Sequence, residues 1–239
     1  MARNMLWPPL FDPSELDKRA LEDIRDACAL YHGSYGLTEA FDRLRTVPER
    51  CEYVAKIIAG EARGVEPVER LVEWLLRPWH SIRNFPKHAR PGAGQALSKA
   101  QDILLQFPGD LTLEASQPEQ ITQMGMAYDT LAQCPYVGGT NASKMLAALR
   151  PEIFPMWDDD IAEAYGFCRR RGMGYRRFVT LAAEIARRLR KLWTNKDKTL
   201  EDYIRPAGRA WKAPLAKLVD EWHWTRITQG VRDGTEASR

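Results

Sequence analysis

A chain of 239 residues with 44% apolar and 28% charged residues has the composition of a folded globular protein, with room for one large domain or two smaller ones. It holds no run near the roughly 18 apolar residues of a membrane span. Its N-terminus turns to proline and acid too early for a secretory signal, so the cytoplasm is the expected location. Cys28, Cys51, Cys134 and Cys168 form no C-x-x-C pair, and the histidines are scattered. Zinc and iron–sulfur spacings are thus missing, which points to reduced thiols, no metal and no cofactor. The net charge is only +3, yet nine basic residues against one acid fall between Arg169 and Lys191. Such a run suits a phosphate-bearing polyanion; a solvated helix face is the plain alternative.

In chain order, apolar spacing predicts helix after helix. The first follows Pro13–Ser14, with Leu16, Leu21, Ile24, Ala27 and Leu30 at helical intervals, and closes near Gly33. Thr38 can cap a short helix through Val47, Pro48 suits the first turn of the next, to about Arg63, and Glu66–Pro67 opens another that Pro78 stops. Residues 78–94 hold three prolines and two glycines among aromatic and basic residues, the pattern of an irregular elbow. Helix resumes at 95 and ends before Pro108–Gly109. Further helices are expected over 117–132, 140–149, 160–170, 174–193 and 208–226, then a disordered tail over 229–239. Alternating strand patterns are absent. The expected fold class is all-α, with an N-terminal helical lobe (1–90) joined by the elbow to a second lobe (95–228).

The informative run is 131–166. A helix ends near Gln133, Cys134-Pro135-Tyr136-Val137-Gly138-Gly139 makes a tight turn, and Thr140-Asn141-Ala142 starts a second helix. Glycines permit positive φ and close backbone approach, and amides opening the second helix form a ready phosphate site. Alone, a Gly-rich αα-hairpin is more often a packing element. Beyond it, Phe154-Pro155-Met156-Trp157 leads to Asp158 at the mouth of a new helix, with Ile161 three positions on.

Together these pieces resemble the helix-hairpin-helix DNA glycosylases over about 45 residues. The resemblance implies a two-lobed helical fold, with double-stranded DNA across the cleft and one base extruded into a pocket. It implies that the Asp158 carboxylate stabilises the oxocarbenium-like sugar and directs water. Helix N-capping is the structural alternative for Asp158, and the two roles are compatible. Val137, Gly138, Gly139 and Thr140 would hold a phosphate, with Lys144, Arg169, Arg170, Arg171, Arg176 and Arg177 as further backbone contacts. Trp157, Trp79, His80 and Phe85 are candidates for the base pocket, with Arg83 and Asn84 in the same elbow; core or loop packing is the alternative for each.

In lyase-active relatives a lysine lies eighteen residues before the acid, and Thr140 stands there. The resemblance therefore implies a monofunctional enzyme, acting as a monomer, that frees a base and leaves an abasic site. Lys144, one turn further, reads as a surface or phosphate-binding lysine. Tyr136 stands where the pattern has its first glycine, and Glu163 where relatives often carry arginine. These departures motivate the alternative of a non-catalytic helix-hairpin-helix DNA-binding module; a helical scaffold with a merely solvated basic helix is a third reading. Damaged purines, mismatched bases and modified pyrimidines all stay open as substrates. The last include modified cytosines of phage DNA, so repair and antiviral defence both fit.

Overall fold

The computed structural model describes residues 13, 16–35, 37–82, 85–167 and 172–236. Among them the chain is all-helical, with no strand. The helices are α1 (Arg19–Tyr35), α2 (Leu37–Thr46), α3 (Pro48–Ile58), α4 (Val65–Leu71), α5 (Arg90–Leu104) and α6 (Pro118–Ala132). Then come α7 (Gly138–Leu149), α8 (Asp159–Ala164), α9 (Gly172–Leu192), α10 (Leu200–Ile204) and α11 (Leu215–Glu236). No helix among the described residues is long and apolar enough to cross a membrane.

Three departures from the sequence reading have physical causes. The elbow is shorter than expected: a 3-10 turn at Lys87–Ala89 leads directly into α5, because Pro91 falls in the first turn, where its missing N–H is not needed. Gly94 lies inside that helix, where a Cβ would come 2.6 Å from the carbonyl carbon of Gly64. The glycine therefore serves a backbone-to-backbone contact and not a loop. At the other end, α11 continues through Glu236, past the start of the tail expected at 229. Gly230 and Gly234 weaken a helix by about 1 kcal/mol each without ending it. The short helix α10, capped by the Thr199 hydroxyl accepting from the Asp202 amide (3.1 Å), was not anticipated.

The buried apolar residues form one core, which runs continuously across the boundary expected at 90–95. Helix α6 lies at its centre, packed on α5, α7 and α9, while α11 packs on α1, α8 and α9. The C-terminal carbonyls of α7 are closed by Arg45 of α2, which donates to Ala148 O (2.6 Å) and Leu149 O (3.0 Å).

The basic run of α9 divides. Arg187 donates to the carbonyls of Glu114 (2.9 Å) and Ser116 (2.8 Å), Arg188 to Leu16 O (3.1 Å), and Arg190 pairs with Glu114 and Glu201. These three guanidiniums brace loops and termini of the protein itself, so the run is not a uniform polyanion-facing block. Arg177 is exposed and Arg176 half-buried, while Arg169, Arg170 and Arg171 lie outside the described residues.

Candidate active site

Asp158 sits at the N-cap of α8 in extended backbone, its Oδ1 accepting from the Ile161 amide (2.9 Å). The segment leading to it is pinned from three helices. Ser143 of α7 holds Trp157 on both sides, its hydroxyl donating to the Trp157 carbonyl (2.8 Å) while Oγ accepts from the Trp157 amide (3.2 Å). Tyr175 of α9 donates to Pro155 O (2.8 Å), and Asp220 Oδ2 of α11 accepts from the Met156 amide (3.1 Å). A side chain on a loop fixed this way is preorganised, as electrostatic catalysis requires.

The carboxylate opens into a cavity of about 60 Å³, lined by Tyr31, Trp79, Lys144, Asp220 and Trp224 together with residues 156–158 and Ile161. That is room for several waters, with polar partners to hold them. Two of the expected pocket residues, Trp79 and Trp157, line it. Trp79 is backed by Phe41, stacked at 6.0 Å between centroids. The Trp157 ring belongs to the core: its indole N–H donates to Tyr128 Oη (3.0 Å), it meets Tyr175 edge-on, and the residue is 2% exposed. Its contribution to the site is to hold Asp158 in place.

His80 and Phe85 are elsewhere. His80 is exposed, with φ of +51°, and does not line the cavity. Phe85 is buried beside Val72, Arg77 and Arg90 in a separate hollow. Arg83 and Asn84 lie outside the described residues. Tyr31, Asp220 and Trp224 were missed. The first sits on α1 and the others on α11, far from Asp158 in sequence, and nothing in a single sequence signals that those helices converge.

Lys144 is brought into the cavity and not onto the DNA-facing surface expected for it. Its ammonium donates to the Ser81 hydroxyl and lies 5.1 Å from the centroid of the Trp79 ring. Burial pushes this lysine down to about 8, against the opposing pull of the Asp158 charge. Burial likewise raises the Asp158 carboxyl, and the Ile161 amide and Lys144 oppose it without cancelling it. Helix capping alone predicts the opposite direction for Asp158. The two shifts narrow, from both sides, the pH range in which carboxylate and ammonium are charged together.

Behind the cavity lies a buried ionic network. Arg209, with no exposed side-chain surface, chelates Asp42 (2.8 and 3.0 Å) and donates to Glu221 (3.0 Å). Lys217 then links Glu221 and Asp220, each at 2.9 Å. Burial pushes Asp220 up to about 7 despite the adjacent Lys217.

The hairpin turn joins α6 to α7 with Tyr136 at φ +67° and Gly138 at φ +68°. Tyr136 thus adopts the left-handed backbone that a glycine would take without strain. The residue is 54% exposed, and its ring meets His88 edge-on at 5.5 Å. Tyr136→Gly should therefore stabilise the chain by about 0.5–1 kcal/mol in urea unfolding; a loss of stability would show that the His88 contact outweighs the strain. Val137 offers no side-chain cap to α7, leaving the first amides of the helix, at Gly138, Gly139 and Thr140, around an open hollow. Asp159 lines the same hollow and places an acid beside any anion bound there.

No group of three or more His, Cys, Asp or Glu side chains among the described residues is arranged to hold a metal ion. No curated protein and no solved structure matches the chain. A family model does match, over residues 81–226, a span that includes the hairpin, Lys144, Asp158, Asp220 and Trp224 but not Tyr31 or Trp79. The match covers more than half of the chain, which belongs to a family of unknown function, DUF6308.

Proposed function

We propose that the protein is a DNA glycosylase-like enzyme that hydrolyses the N-glycosidic bond of an extruded base and leaves an abasic site. The observation that carries the reading is the setting of Asp158: a carboxylate on a loop clamped by three helices, opening into a partly aromatic cavity one short segment after a Gly-rich hairpin. Loss of a base develops positive charge at C1′, and a fixed, preorganised carboxylate stabilises it far better than bulk water does. Asp158 also orients the water that attacks C1′ and takes its proton. Trp79, Tyr31 and Trp224 supply aromatic faces against which an extruded base stacks. The hairpin hollow and Arg177 hold the backbone on either side of the flipped nucleotide.

The alternative, a DNA-binding module without chemistry, differs only in lacking base release; Asp159, which lines the hairpin hollow, opposes a phosphate there in either case. Both readings require phosphate contacts. Binding to a duplex containing a tetrahydrofuran abasic-site analogue, read by fluorescence anisotropy, is expected to weaken about tenfold or more between 50 and 200 mM salt. No binding even at 50 mM salt would favour a helical scaffold and remove both.

A further inference from the structure

We infer that Trp79 is the gate of the site: the segment Val72–Ser81 rewinds, carrying the indole out of the cavity wall into the hollow beside it, and the room so made admits the base. That a base is the occupant rests on the glycosylase reading. That Trp79 moves rests on the cavity and on the segment that carries the ring.

The cavity around Asp158 measures about 60 Å³. An engineered protein cavity that takes up benzene measures about 150 Å³, and every nucleobase is larger than benzene. No base therefore fits beside Asp158 while the walls stand where they are. Most of those walls are fixed. Tyr31 and Trp224 lie within the long helices α1 and α11 and meet edge-on at 5.2 Å. Trp157 is held by the Ser143 hydroxyl and Met156 by Asp220, which is itself tied to Lys217 (2.9 Å).

Trp79 differs from them in three respects. It stands on a turn, outside any helix. It also lines a second hollow, of about 270 Å³, bounded by Glu39 and Arg43 of α2, Arg50 of α3, and Glu73 and Trp74, so the indole has space to move into. Finally, the backbone before it has two windings open to it. Val72–Leu76, which continues α4, is a π-helix. Arg77 N–H donates to Val72 O (2.9 Å) and Ser81 N–H to Leu76 O (3.0 Å), each five residues back, while Trp79 N–H donates to Leu75 O (3.1 Å), four back. Such π turns are rare and found mostly at functional sites. Exchanging five-residue for four-residue bonding turns all that follows by about 100°, one residue's share of a helical turn. Pro78 has no N–H to tie it into either winding. His80, at φ +51°, holds strain that the rewound segment releases.

Lys144 is the latch. Its ammonium donates to the Ser81 hydroxyl and lies 5.1 Å from the centroid of the Trp79 ring, so it holds the closed segment at both residues. Exposing the indole is unfavourable, which keeps the resting site closed; contact with an incoming base offsets that cost.

Protein labelled with 5-fluorotryptophan reads the gate directly. The Trp79 resonance is assigned by its absence in Trp79→Phe, and its exposure is read from the fluorine shift between H2O and D2O. In the Asp158→Asn chain bound to a duplex whose base the wild type releases, Trp79 is expected at an exposed position while Trp157 stays buried. Without DNA, Ser81→Ala removes the ammonium's hydrogen bond and should raise the exposed Trp79 population about tenfold. Lys144→Met removes the same bond from the other side and should do likewise. A Trp79 resonance that stays buried in the complex overturns the gate and leaves the base-release reading standing. If no duplex loses a base, that reading falls and the DNA-free measurement decides alone: a raised exposed population in either variant sustains the gate, and an unchanged one overturns it.

Discussion

Replacing Asp158 by asparagine is expected to slow base release about 10²- to 10³-fold, the scale of loss when one preorganised electrostatic group is removed. The fold should hardly notice. Asparagine ranks with aspartate as an N-cap, so the bond from the Ile161 amide (2.9 Å) survives, and the cost is within about 0.5 kcal/mol. The clamps on Trp157, Met156 and Pro155 do not involve the Asp158 side chain. What disappears is the negative charge facing C1′. Asp158→Ala removes charge and cap together and should cost about 1 kcal/mol of stability as well, so the pair of variants separates the two roles. Single-turnover base release measured beside urea unfolding checks this; undiminished release by Asp158→Asn would take the residue out of the chemistry. The pH profile carries a second signature. Since burial raises the Asp158 carboxyl, its ionised form is lost at a higher pH than in an exposed aspartate. The acid limb of the rate profile should shift accordingly.

Arg209→Met is expected to destabilise the protein by about 3–5 kcal/mol, the usual result of leaving buried charges without their partner. The arginine is enclosed and joins Asp42 of α2 to Glu221 of α11. Its removal strands both carboxylates, and Lys217, already shared between Asp220 and Glu221, cannot serve a third acid. Replacing Asp42 and Glu221 by leucine in the same chain should recover part of the loss, because a well-packed apolar cluster can match a buried ion network. Urea midpoints of the three proteins decide the matter. A loss under about 1 kcal/mol for Arg209→Met would mean that water reaches the network. The network also bears on the site, since Asp220 holds the Met156 amide two residues before Asp158. Arg209→Met should therefore slow base release by more than its loss of folded protein explains.

The helices, the hairpin and the placement of Asp158 at a helix mouth were legible because each depends on neighbours in sequence: apolar spacing, proline positions and a capping acid. Segments whose structure depends on distant partners were not. Gly92 and Gly94 look like loop residues until the Gly64 backbone is seen packed on Gly94. Arg187, Arg188 and Arg190 of α9 look like part of a nucleic-acid surface until Glu114, Ser116, Leu16 and Glu201 are found at their ends. Lys144 illustrates the same limit within the site. Its place on α7 was readable; that Ser81 and Trp79 come to meet it was not, because their segment belongs to another part of the chain. A third of the cavity lining, Tyr31, Asp220 and Trp224, comes from α1 and α11, and no local pattern marks Tyr31 or Trp224 as anything but core.

Release of free base from a panel of duplexes carrying alkylated, oxidised, deaminated, mismatched and bulky modified bases, followed by mass spectrometry before any alkali treatment, tests the central claim most directly. The wild-type protein should free at least one base in a time-dependent manner, leaving an abasic site in the same duplex, and Asp158→Asn should not. Salt-sensitive binding to these duplexes with no base released from any of them would contradict the claim and leave a DNA-binding module in its place.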